Sequence, residues 1–91
     1  MPSSVLIPVQ LKKLTNNETT VYIGTHSIKD MIKELEDRFP GMKDRLLDKD
    51  GNIMKFVNIY VNGEDIRFLN GMETVINDNS EISIVPASAG G

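Results

Sequence analysis

The sequence predicts a small α+β domain in which one main amphipathic helix packs on a mixed sheet of four to five strands. Three observations carry that expectation. Apolar residues at Ile28, Met31, Ile32, Leu35 and Phe39 recur at the spacing of a single helical face. The run FVNIYV, Phe56 to Val61, leads directly into Asn62-Gly63, the dipeptide that suits a tight hairpin because both central residues need positive φ. Near the end, Glu81 to Val85 reads EISIV, so that Ile82 and Ile84 point to one face of a strand.

In chain order, Val5 to Leu14 (VLIPVQLKKL) is rich in Val, Ile and Leu and reads as a strand, although Pro8 removes one ladder donor. Thr15-Asn16-Asn17-Glu18 has turn chemistry, since Asn tolerates left-handed backbone and closes its own turns. Thr19 to Ile23 then returns as a second strand. Ser27 precedes the helical series and, with Asp30 three residues on, resembles a capping box. The helix ends near Phe39 because Pro40-Gly41 cannot continue it; its length of about 12 residues spans roughly 18 Å. Met42 to Leu47 suggests a second short helical turn, closed by the polar turn Asp48 to Asn52. After the Phe56–Val61 strand and its Asn-Gly turn, Ile66 to Leu69 is expected as the return strand. Met72 to Ile76 is too short to assign, and Asn77 to Ser80 is another turn before the last strand, which Pro86 ends. A helix crossing between hairpins on one sheet is the β-grasp, or ubiquitin-like, arrangement. A ferredoxin-like fold would need a second full helix, and Gly71 to Ser80 has no room for one.

Composition narrows the function. The 91 residues make one domain, with ten Lys plus Arg against thirteen Asp plus Glu, a net charge of −3. With a pI near 5.0 and no basic cluster beyond Lys12-Lys13, nucleic acid and anionic lipid are not expected partners. The absence of cysteine removes thiolate nucleophiles, disulfides and thiolate metal sites. No basic n-region or long apolar stretch opens the chain, so a soluble, cytoplasmic protein is expected.

The most unusual feature is the end, Ala87-Ser88-Ala89-Gly90-Gly91, expected as a flexible tail following a β-grasp domain over residues 1–86. Two terminal glycines arise by chance in about 0.5% of chains at an average Gly usage of about 7%. A backbone ending in glycines can thread a narrow channel and present its carboxylate without steric conflict.

This tail, the strand before it and the block FVNIYVNGEDIRF, Phe56 to Phe68, resemble the ubiquitin-like sulfur-carrier proteins of the ThiS and MoaD type. Within that group the chain most resembles the carrier of cysteine biosynthesis, whose members end in Ala-Gly-Gly. One departure is Asp78-Asn79-Ser80, where members often carry Asp-Gly-Asp; Asn also accepts left-handed backbone. The resemblance implies a carrier that is the substrate of another enzyme and has no catalytic group of its own. An E1-like adenylating enzyme, using ATP and Mg²⁺ that the carrier itself does not bind, converts the Gly91 carboxylate to an acyl adenylate, and sulfur displaces AMP to leave a thiocarboxylate. Gly91 carries the sulfur; Ala87, Ser88, Ala89 and Gly90 occupy the activating enzyme's channel. In the cysteine-forming group a pyridoxal-phosphate cysteine synthase accepts the sulfur and a metalloprotease releases the product.

Other readings stand beside this one. The same chemistry serves molybdopterin and thiamin sulfur carriers. A ubiquitin-like modifier begins with the same adenylation and differs at the acceptor, a lysine of a target protein. A non-covalent β-grasp interaction domain would have an inert tail. Arg67, Phe68 and Leu69 are candidates for a partner surface, because aromatic and Arg anchors dominate many interfaces. The acidic residues Glu64, Asp65, Glu73, Asp78 and Glu81 suit a solvated face. His26, the single imidazole, has no acid or nucleophile at defined spacing and reads as a surface loop residue. Asp48-Lys49-Asp50-Gly51 fails as a calcium loop: placing Gly51 at the required glycine puts Leu46 and Val57 at ligand positions. No metal site is expected.

Overall fold

Strands β1 (Ser3–Leu6) and β2 (Thr20–Ile23) pair antiparallel, and helix α1 (Ile28–Arg38) follows, with a short helix α2 (Met42–Leu46) behind it. Strands β3 (Val57–Val61), β4 (Glu64–Asp65) and β5 (Glu81–Pro86) complete a five-stranded sheet of order β2-β1-β5-β3-β4. The computed structural model of the chain describes residues 2–86. β5 enters the middle, parallel to β1 and antiparallel to β3, which makes the sheet mixed as expected.

The helix forms where its periodicity places it. Ser27 Oγ accepts the Asp30 N–H at 3.1 Å, satisfying one of the unpaired donors of the first turn. Ile28, Met31, Ile32 and Leu35 are all buried and meet Val5, Ile59, Ile82 and Ile84 from the inner face of the sheet in one core. Helix α2 begins at Gly41, whose φ of 102° is left-handed, and its first turn is capped from outside: the Glu36 carboxylate accepts the N–H groups of Gly41 (3.2 Å) and Lys43 (2.8 Å). The Asn62-Gly63 turn has positive φ at both residues, 51° and 88°, as a type I′ hairpin requires.

Two strands differ from expectation. The first ends at Leu6, and Val9–Thr15 is a 3₁₀ helix instead of its continuation to Leu14. Pro8 has no N–H to offer the ladder, and its carbonyl accepts the Leu11 N–H at 2.9 Å, which starts the helical turn. Leu11 and Leu14, three apart, then face the core together, the natural consequence of three residues per turn. The second difference is the return strand, which is Glu64–Asp65; Ile66–Phe68 is a 3₁₀ turn and Leu69 lies beyond it. Asp65 causes the change by accepting the Arg67 N–H at 2.8 Å, an N-cap that turns the chain off the sheet.

Candidate functional site

The site is built where β5 hands over to the C-terminal tail. Ala87, Ser88, Ala89, Gly90 and Gly91 lie outside the described residues; the structure describes the root from which they continue. β5 is held on both sides. Val5 faces Ile82 on the β1 side, and on the β3 side Val61 to Val57 run opposite Ile82 to Pro86. Pro86 therefore leaves the sheet opposite Val57, from the central strand and not from an edge.

Alternation along β5 sorts its side chains. Ile82 and Ile84 are buried, whereas Val85 is 43% exposed and stands opposite Asn58 on the open face of the sheet. Leu6, opposite Ser83, and Tyr22, opposite Ser4, are exposed on the same face. These three apolar groups were not among the residues singled out from the sequence, although the signal existed: once Ile82 and Ile84 point inward, Val85 must point out.

Arg67, Phe68 and Leu69 divide into two roles. The Arg67 guanidinium donates to the carbonyls of Val57 (2.9 Å) and Lys55 (3.3 Å) and to the Asn58 side chain, and it lies 3.7 Å from the Asp65 carboxylate. It braces the 3₁₀ turn against β3, one residue pair from the tail root. Phe68 and Leu69 are left at the surface, 86% and 39% exposed. The structure thus brings Arg67, Asn58 and the residue opposite it, Val85, to one side of the root.

The remaining polar features sit elsewhere. His26 Nε2 and Asp78 are 3.3 Å apart with both side chains exposed, ahead of the N-terminal end of β5. The hydrogen bond from His26 holds the Asp78 carboxyl below the usual carboxylate range. Asn79 has φ of 62°, so this turn takes its left-handed residue without a glycine. The Glu36 carboxyl is likewise held low, chiefly by the Lys43 N–H and then by that of Gly41. Among the described residues no cluster of His, Asp and Glu is arranged to hold a metal ion. No helix among them is long and apolar enough to cross a membrane.

Residues 5–91 match the model of the ThiS family. The chain belongs to the ThiS family. Its ThiS-family relatives include the sulfur carrier protein CysO of Mycobacterium tuberculosis, 39% identical over 93 aligned positions that cover the whole of both chains. The small archaeal modifier protein 3 of Haloferax volcanii is 34% identical over 65 residues, covering 71% of this chain and 70% of that one. Among solved structures, the CysO chain in the BexX/CysO complex of Amycolatopsis orientalis superposes with a TM-score of 0.91 at 36% identity, covering 98% of this chain and 99% of that one. The β-grasp fold and the ThiS-type carrier class expected from the sequence are both met by these relatives.

Proposed function

We propose that this chain is a sulfur carrier whose Gly91 carboxylate is adenylated and then converted to a thiocarboxylate in the cytoplasm, with cysteine biosynthesis as the consumer of the sulfur. The full-length similarity to CysO supports the carrier role most directly. A carboxylate is a poor electrophile until it bears a leaving group. In the first step its oxygen attacks the α-phosphorus of ATP on an E1-like enzyme, which also holds the Mg²⁺, and pyrophosphate departs. Hydrosulfide then attacks the acyl carbon; the C–S bond forms, the bond to AMP breaks, and the proton goes to solvent. The thiocarboxylate donates its sulfur to a pyridoxal-phosphate cysteine synthase, and a metalloprotease frees the product from the carrier.

The carrier's own contribution is positional. Anchoring the tail root in the central strand fixes the point from which the five terminal residues enter a partner's channel, and glycine at the end removes side chains from the reacting carbon. Phe68 and Leu69, held outward by the Arg67 brace, supply a docking patch for the activating enzyme. A CysO chain of the same fold has been solved in complex with BexX, which supports binding of a carrier of this fold to a protein partner. The test is ATP–pyrophosphate exchange by the cell's own E1-like enzyme. The full chain supports exchange, and a chain lacking Gly90 and Gly91 does not; equal exchange without the glycines would remove the proposal. Similarity to the small archaeal modifier favours one second reading, transfer of Gly91 to protein lysines, for which covalent ladders on a denaturing gel are the sign.

A further inference from the structure

An open end of the sheet–helix sandwich lies beside the tail root and shares Val57 and Pro86 with it. There a groove of about 390 Å³ runs between the Val9–Thr15 3₁₀ helix, α2 and the entry to β3. Leu11 and Ile84 form part of its buried floor, Phe56, 53% exposed, forms a wall, and Pro86 closes the end from which the tail continues. On its rim stand Arg45 and Asp44, adjacent on α2, neither of them ion-paired with another described residue. An apolar floor left open at the surface, beside a guanidinium that no described residue pairs, is the composition of an anchor pocket.

The tail's own Ala, Ser and Gly side chains carry too little apolar surface to fill such a groove. Pro86 lines the groove and is also the last residue of β5, so a protein that grips the tail root has the groove within reach. We propose that the groove receives a large apolar side chain, of leucine or phenylalanine size, from the enzyme that adenylates the tail, with a carboxylate of that enzyme meeting Arg45. This gives the activating enzyme a second hold, at the end of the sandwich, separate from the Phe68–Leu69 patch. The inference rests on the adenylation reading of the preceding section.

The test compares full-length chains as substrates in ATP–pyrophosphate exchange with the E1-like enzyme purified from the same cells. Phe56→Ala and Arg45→Glu each raise KM for the carrier about tenfold while kcat stays within about twofold, since they weaken docking and leave the reacting glycine untouched. Lys33→Glu, an equal charge reversal on the exposed side of α1, leaves KM unchanged. Both groove residues are exposed, and unchanged circular dichroism and melting confirm that the variants fold. A KM that stays at the wild-type value in both groove variants, or rises equally in Lys33→Glu, overturns the groove while leaving adenylation intact. Absence of exchange with the wild-type chain instead overturns the adenylation reading, and the groove proposal falls with it.

Discussion

The two ends of β5 are built from opposite materials. At its start, buried Ser3 and Ser80 sit in a closed set of hydrogen bonds: Ser80 N–H donates to Ser3 Oγ (3.0 Å), and both hydroxyls donate to the Asn77 carbonyl (2.9 and 2.7 Å). Asn62 adds a second clasp, accepting the Glu81 N–H on its side chain at 2.9 Å and donating its own N–H to the Glu81 carbonyl at 2.8 Å. At the other end, Val85 is exposed, Pro86 borders an open apolar groove, and Phe56 stands half out of the surface. The lesson is a division of labour along one strand. Polar groups at the start satisfy one another and fix the register, so that the end can leave apolar surface unfilled beside the tail without the sheet slipping.

Substitutions along β5 sharpen this contrast. The largest effect is expected at Ile82→Ala, which empties a fully buried site in the strand: a loss of about 2–5 kcal/mol in urea unfolding. Next comes Ser3→Ala, which removes one acceptor of the Ser80 N–H and a donor to Asn77; a loss of about 1–2 kcal/mol is expected. At the opposite end, Val85→Ser changes stability least, by about 1 kcal/mol or less, because its side chain is already 43% exposed. A Val85 variant that unfolds as easily as the Ser3 variant would break the comparison.

A smaller, pH-dependent effect marks α2, the helix that carries the groove's charged rim. Glu36 caps it, and its carboxyl is held low in the folded state, so the cap's contribution is complete above the ordinary glutamate range near pH 4.3 and is lost as pH falls through the lower, folded value. Amide exchange at Gly41 and Lys43 is therefore expected to speed up on acidification below pH 4, beyond the intrinsic pH effect, and Glu36→Gln already shows the faster exchange at pH 7. Identical protection in the two proteins at pH 7 would show that the cap contributes nothing.

Much of this architecture is legible in the sequence because its signals are local. Ser27 with the Ile28, Met31, Ile32, Leu35 series fixes the helix, Asn62-Gly63 fixes the hairpin, and EISIV fixes which residues of β5 are core. Local signals also explain the two misassigned strands. Leu11 and Leu14 carry a three-residue spacing that the β-branched composition around them obscured, and Asp65 is a capping residue whose effect on Ile66–Phe68 outweighs a favourable strand composition. The bracing role of Arg67 depends on carbonyls of Lys55 and Val57, ten and more residues away, and the groove draws its walls from four separate segments. Neither is visible in any sequence window, since only the folded topology places those segments together.

The central claim is that Gly91 carries sulfur. Its most direct test is the intact mass of the protein isolated from its own cells, compared with a chain lacking Gly90 and Gly91. The account predicts a species in which one oxygen is replaced by sulfur, present in the full chain and absent from the shortened one. A full chain found only at its unmodified mass, even after incubation with ATP, sulfide and cell extract, would contradict it.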